Sequence, residues 1–268
     1  MKPVTSLTAV LVAAGTAVAL SACGTINTPS SATSAVASSS TTAALSGTVN
    51  VFAAASLQES FTTLKKQFEA AHSGVTVTPN FGASSALAQQ INQGAPADVF
   101  ASASQTNMDQ VVQAGGAATS KAFAKNVMEI AVPPANPAAI ASVSDLAQPG
   151  VKVALCQAQV PCGSVAAKVF SNAKITVTPV SQEADVKSVL TKVQLGEVDA
   201  GVVYVTDVKV AGAKVKGIEI ASGVNASTSY PIATLTKAPN PDAAAAFVAY
   251  VLSPEGQAVL TSGGFAAL

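Results

Sequence analysis

The chain has 268 residues, 49% of them hydrophobic and only 10% charged, with a formal net charge of zero. That length can bury one large or two modest cores, and the lack of a basic surface excludes nucleic acid as a partner. All 14 basic residues are lysines, so the forked guanidinium that usually clamps carboxylates and phosphates is missing.

The first residues read as a targeting signal rather than structure. Lys2 supplies a positive start, and 7–20 is an apolar run, interrupted by Gly15 and Thr16, that is short for a spanning helix. It ends at Leu20-Ser21-Ala22-Cys23, which resembles a bacterial lipobox. The resemblance implies a lipoprotein signal peptide over 1–22 and lipidation of Cys23. The alternative is a plain secretory signal with an incidental cysteine. Residues 24–46 are mostly Ser, Thr and Ala with hardly any charge, so 23–46 is expected to be a flexible tether.

The folded body is expected from Gly47, and it alternates strand and helix. A β-branched apolar strand over 48–52 runs into Ala53-Ala54-Ala55-Ser56. Leu57, Phe61, Leu64 and Phe68 then mark one face of a helix, with Ser56 and Glu59 spaced as a capping box and Gly74 as its closing glycine. A strand over 75–78 leads through Pro79-Asn80-Phe81-Gly82-Ala83 to Ser84 and Ser85 and a helix over 85–92. A short strand at 98–101 and a helix over 107–113 complete this block.

A strand over 126–132 stops at Pro133-Pro134, and a second block follows. It has strands at 151–155, 175–180, 200–204 and 215–220, a helix after Pro161 to about 171, and another over 184–195. A strand at 230–235 and helices over 241–252 and 254–261 end the chain. Repeated strand–helix–strand order means parallel sheets with right-handed crossovers. The fold class expected is α/β, with two lobes built on two mainly parallel sheets, joined by the crossover strands 126–132 and 230–235, and a ligand cleft between them. Lobe 1 would take 47–129 and 231–268, and lobe 2 would take 130–230.

In open parallel sheets ligands bind beyond the carboxyl ends of the strands. Ser56 and Ser84 both lie there, each at a helix start. Helix N-termini offer free N–H groups and a partial positive charge. Two such exits with hydroxyls and no arginine point to capture of an anion by neutral hydrogen bonds. Serine at a helix start is also a common cap, so the pairing carries the argument. Cys156 and Cys162 remain as an even pair in a compartment that permits disulfides, and a bridge would close the small loop 157–161. The alternative, a metal pair, would have to be completed by carboxylates, because His72 is the single histidine. No metal site is expected.

The strings Val51-Phe52-Ala53-Ala54-Ala55-Ser56-Leu57, Phe81-Gly82-Ala83-Ser84-Ser85-Ala86-Leu87 and Gly94-Ala95-Pro96-Ala97-Asp98-Val99-Phe100 resemble the molybdate-binding proteins of ABC transporters. So do Val160-Pro161-Cys162-Gly163, Glu183-Ala184-Asp185-Val186, 201–207 and the ending Gly263-Gly264-Phe265, all in the family's order. The resemblance implies a type II periplasmic-binding-protein fold that closes on one tetrahedral oxyanion, molybdate or tungstate. It implies hydroxyl donors at Ser56 and Ser84, with Ser85 the competitor for the second. It also implies backbone N–H donors at Cys162 and Val186 and a hydroxyl at Tyr204. Cys162 stands where relatives often have alanine, a change a backbone donor survives. Further expectations are delivery to a membrane permease, a lipid-anchored extracytoplasmic location, a monomer and no cofactor. The alternative ligand is sulfate or another tetrahedral oxyanion.

An enzyme is not expected. A serine nucleophile needs a base, and His72 lies sixteen residues beyond Ser56. One helix between them would set them about 24 Å apart, at about 1.5 Å per residue. Asp98, which would repel an anion, reads as structural. A tethered surface antigen would also fit the leader, but does not require two lobes.

Overall fold

The computed structural model describes residues 44–268. The signal segment, Cys23 and nearly all of the tether lie outside the described residues. Strand β1 (Gly47–Ala54) has its last four residues buried and runs into a 3₁₀ turn, Ala55–Leu57, which leads helix α1 (Gln58–Ala71). Next come β2 (Val75–Gly82), α2 (Ser84–Asn92), β3 (Val99–Ala101), α3 (Gln105–Gln113) and the long β4 (Lys121–Val132). The second block is β5 (Val153–Cys156), α4 (Pro161–Ala173), β6 (Ser181–Glu183), α5 (Val186–Gln194), β7 (Ala200–Tyr204), α6 (Val205–Ala211) and β8 (Lys216–Glu219). Strand β9 (Ser227–Thr234) and helices α7 (Pro241–Leu252) and α8 (Pro254–Gly263) follow.

The two blocks repeat one topology. β1 pairs in parallel with β2 on one side and β3 on the other. β5 pairs in parallel with β6 and β7 in the same way. The order reverses at β1 and at β5, and a crevice forms beyond the carboxyl ends at such switch points. The junction is antiparallel. β9 pairs with β3, and β4 pairs with β9 over Lys121–Val127 and then with β7 and β8 from Met128 onward. The mainly parallel sheets expected are found, with parallel pairing inside each block and antiparallel pairing where the two crossover strands meet their neighbours.

Alternation along β1 divides the first core. Val49, Val51 and Ala53 face Phe61, Phe68, Phe123 and Phe247, and Phe52 faces Leu87, Phe100 and Met108. Helices therefore cover both faces of that sheet, as parallel strands require. The second core gathers Ile130, Val153, Val169, Val189 and Val202. Its strands are near-continuous apolar runs for the same reason.

Several local expectations change. Ser56 and Glu59 form no capping box, because the Ser56 hydroxyl is engaged elsewhere and the chain enters α1 through the 3₁₀ turn. Gly74 is not a left-handed cap. Its Cα packs against the backbone, where a Cβ would stand 2.7 Å from the Leu45 carbonyl oxygen. Glycines do adopt left-handed φ after α2 and α5, at Gly94 (94°) and Gly196 (68°). The strand expected over 175–180 forms no ladder over most of its length; the Val180 N–H donates to the Val153 carbonyl of β5 at 2.9 Å, and the residue-by-residue pairing begins at Ser181. Ile175 and Val177 rest on the core while their neighbours face solvent, so the alternation reported half-burial rather than pairing. Helix α6 follows Tyr204 without a glycine or proline to announce it.

Among the described residues no single helix is long and apolar enough to cross a membrane. The start of α4 is set by close backbone approach. A Cβ at Gly163 would run into the Gln157 carbonyl oxygen and stand 2.7 Å from that of Cys156. Because both obstacles are backbone, Gly163→Ala is expected to destabilise the protein by about 1–3 kcal/mol. That is a fall in Tm of roughly 3–10 °C for a body of this size. A calorimetric scan showing an unchanged Tm would contradict this account of the α4 start.

Candidate oxyanion site

Every residue singled out in the sequence as a ligand lies where a strand ends and a helix begins. Ser56 is in the turn after β1, and Ser84 is the first residue of α2 after β2. Cys162 is the second residue of α4, behind Pro161, which suits the first helical position because it has no N–H to leave unpaired. Val186 is the first residue of α5, after Asp185, whose carboxylate accepts the Ser188 N–H at 2.9 Å. Tyr204 is the last residue of β7. Cys156 and Cys162 are joined by a disulfide with Cα atoms 5.8 Å apart, which pins the α4 start to the end of β5. The open alternative of a metal pair is thereby removed.

All five residues line one cavity of about 20 Å³, with Ala54, Ala55, Gly82, Ala83, Ala103, Val160, Pro161 and Asp185 completing the wall. Sites for drug-sized ligands run to about 300–1,000 Å³, so this space suits a compact guest. Small side chains bring the backbone close on every side. Asp185, the only charged residue in the wall, has its carboxylate occupied as a helix cap. Ser84 Oγ accepts the Ala103 N–H at 2.9 Å, and Ser56 Oγ lies 2.8 Å from the Tyr230 hydroxyl. Ser85 is not in the wall. The Tyr204 hydroxyl is buried without a hydrogen-bond partner. Burial pushes its pKa well above the usual tyrosine value, so it keeps its proton and can donate. A larger groove of about 630 Å³ runs past α1 and α8 and shares only Ser56 with the small cavity. Its wall carries Glu59 and Glu255, which would repel an anion.

The residues missed by sequence reasoning form a buried polar row behind Ser56. Asn126 donates through Nδ2 to Thr206 Oγ1 at 2.8 Å and, at 3.5 Å, to the Tyr230 hydroxyl. Its Oδ1 accepts the Val127 N–H at 3.0 Å. These residues come from β4, α6 and β9 and lie far apart in the chain, so no spacing announces them. His72 caps the far end of α1 and packs against Phe68 in a tilted arrangement with ring centroids 4.4 Å apart, remote from Ser56. Asp98 accepts the Asn50 and Asn240 N–H groups at 2.7 and 2.6 Å, tying the start of α7 to β1.

Two sheets of the same topology, crossed by two strands, with a small donor-lined cavity at their carboxyl ends, define a two-lobed solute-binding protein. Residues 49–266 match the family described as bacterial extracellular solute-binding protein, and the chain belongs to that family. It is 43% identical over 219 residues to the molybdate-binding protein ModA of Mycobacterium tuberculosis, covering 81% of this chain and 83% of the relative. Among solved structures it resembles the substrate-binding domain of a putative molybdenum ABC transporter from Clostridium difficile. That match has a TM-score of 0.62 and 32% identity over 82% of this chain and 99% of the other. The periplasmic molybdate-binding protein of Azotobacter vinelandii shares the fold, with a TM-score of 0.73 at 18% identity over 82% and 99% of the two chains.

A charged triad ties together the elements that carry the donors. Lys187, next to Val186 on α5, contacts Glu59 Oε2 of α1 at 2.8 Å and Asp207 Oδ1 of α6 at 3.1 Å. The Asp207 contact lies off the angle of a hydrogen bond and is essentially Coulombic, since that oxygen has no hydrogen-bond partner. Asp207 Oδ2 accepts the Tyr204 N–H at 3.1 Å, fixing the turn from β7 into α6. Burial alone would lower the Lys187 pKa, but the Asp207 and Glu59 carboxylates outweigh it and hold the ammonium above its usual 10.5. A cation whose folded pKa is raised stabilises fully below the unfolded value and loses that contribution as pH climbs through the folded one. Lys187→Met, which leaves Asp207 uncompensated, should cost about 3–5 kcal/mol at neutral pH. In denaturant titrations its deficit relative to wild type should shrink above pH 10.5. A deficit independent of pH would show that Lys187 acts by packing alone.

Proposed function

We propose that this protein captures molybdate, and tungstate with it, outside the cytoplasmic membrane and hands it to an ABC permease. Lipidated Cys23 would tether it there, and the body would act as a monomer with no cofactor. The observation that carries the reading is the convergence of Ser56, Ser84, Cys162, Val186 and Tyr204 on one small cavity, three of them as hydroxyls and two beside free helix N-terminal amides. The relatives named for molybdate support the choice of anion.

A dianion here is held by neutral donors from both sheets. Each charge-assisted hydrogen bond contributes about 1.5–3 kcal/mol. Donors on both sides reward closure of the lobes around the anion, a hinge motion driven by its higher affinity for the closed state. A shell of donors also selects. Hydrogen phosphate would point its own O–H at a donor with no acceptor available, whereas molybdate, tungstate and sulfate bring only acceptors. Cavity size then chooses between sulfate and the larger metal oxyanions.

Titration calorimetry with molybdate, tungstate, sulfate and phosphate tests the reading. Tight binding of the first two, weaker sulfate and negligible phosphate are expected. Sulfate bound as well as molybdate would overturn it in favour of a sulfate receptor. Ser56→Ala should weaken molybdate by about 1.5–3 kcal/mol, one charge-assisted bond; an unchanged affinity would remove Ser56 from the site.

A further inference from the structure

We infer that Tyr230 and Asn126 fix the direction of the Ser56 hydroxyl, and so enforce rejection of protonated oxyanions. This rests on the oxyanion reading above and names residues that touch no ligand. A free serine hydroxyl can donate or accept. If Ser56 could turn its lone pairs to the cavity, it would accept the O–H of a protonated anion, and selectivity by donors alone would fail.

The hydrogen-bond row removes that freedom step by step. Asn126 is buried, 2% exposed, and its Oδ1 takes the Val127 N–H at 3.0 Å. The amide is therefore oriented with Nδ2 toward Thr206 and Tyr230. An amide nitrogen only donates, so the Tyr230 oxygen accepts there and must send its own proton elsewhere. Tyr230 is fully buried; the neighbouring Tyr204 hydroxyl stands outside hydrogen-bond geometry, and Ser56 Oγ at 2.8 Å is the remaining partner within it. Ser56 Oγ therefore accepts from Tyr230, and its proton is left for the cavity that Ser56 lines.

Ser84 is locked by a different route to the same end. The Ala103 N–H at 2.9 Å can only donate, so it occupies one lone pair of the Ser84 hydroxyl and leaves the proton free to donate into the cavity. Two serines at different strand exits thus each spend a lone pair on a neighbouring donor, the Tyr230 hydroxyl for Ser56 and the Ala103 N–H for Ser84. The first lock depends on two side chains and can be undone without touching a ligand-bearing residue. Tyr230 and Asn126 are positioning residues. A purely structural role for this row, as a tie between β4, β9 and α6, would change stability without changing which anion is preferred.

The test compares molybdate and phosphate affinities of the full chain by competition calorimetry, with thermal melts to confirm folding. Tyr230→Phe removes the donor to Ser56 while keeping the ring. It should lower the molybdate-to-phosphate affinity ratio at least tenfold, through loss of molybdate binding and gain of phosphate. Asn126→Asp puts an acceptor where the donor was. It reverses the row, turns Ser56 lone pairs toward the cavity, and should lower the ratio at least as far. If Tyr230→Phe does not fold, Asn126→Asp decides on the same ratio. A folded variant that keeps the wild-type ratio within twofold overturns the inference even if its Tm falls. Wild-type protein that binds no tetrahedral oxyanion overturns the oxyanion reading, and this inference with it.

Discussion

The central constraint is that one small cavity at the strand ends is walled by hydrogen-bond donors, in a chain that has no arginine. The donors are backbone amides at helix starts and hydroxyls beside them. Such amides are available only where a parallel strand hands over to a helix. The β2-β1-β3 order and its repeat, β6-β5-β7, present those handovers at the carboxyl ends of both sheets. Small residues in the wall, Ala54, Gly82, Ala83 and Ala103 among them, let the main chain approach from each side. Gly163 does the same for α4, where any side chain would strike the preceding loop.

Behind this neutral shell lie two kinds of support. The uncharged row of Asn126, Tyr230 and Ser56 controls which way a proton points. The charged triad of Glu59, Lys187 and Asp207 controls where three elements sit. Burying an ion pair gains little stability by itself, because desolvation offsets the attraction. What the triad provides is registration. Lys187 neighbours Val186, Asp207 holds the Tyr204 N–H, and Glu59 is one turn beyond Ser56 on α1. Donors from both sheets are thus referred to one ammonium. Its charge is kept out of the cavity, whose wall includes none of the three.

The alternating blocks, the cleft at the strand ends and most helix boundaries were legible because they depend on local pattern. Apolar periodicity marked α1 and α5, and the prolines at 241 and 254 marked the starts of α7 and α8. Errors arose where one pattern serves two purposes. Residues 175–180 alternate because one side lies on the core, yet only Val180 bonds to the neighbouring strand β5. Ser56 and Glu59 have capping-box spacing, but Tyr230 claims the serine and Lys187 the glutamate. In the second case a distant partner outcompeted the local option.

The amino-acid sequence by itself determined the fold class, the two serine-bearing strand exits and the absence of any guanidinium, since each follows from residue type and near-neighbour spacing. Through ordered resemblance it also pointed to Cys162, Val186 and Tyr204. Only the tertiary structure decided that these residues share one small cavity, that Cys156 and Cys162 are bridged, and that Asn126, Tyr230, Glu59 and Asp207 stand behind the site. The reason is physical. A hydrogen bond or ion pair between residues a hundred positions apart leaves no periodic trace in the chain, and it exists only once two sheets have packed the strands that carry it.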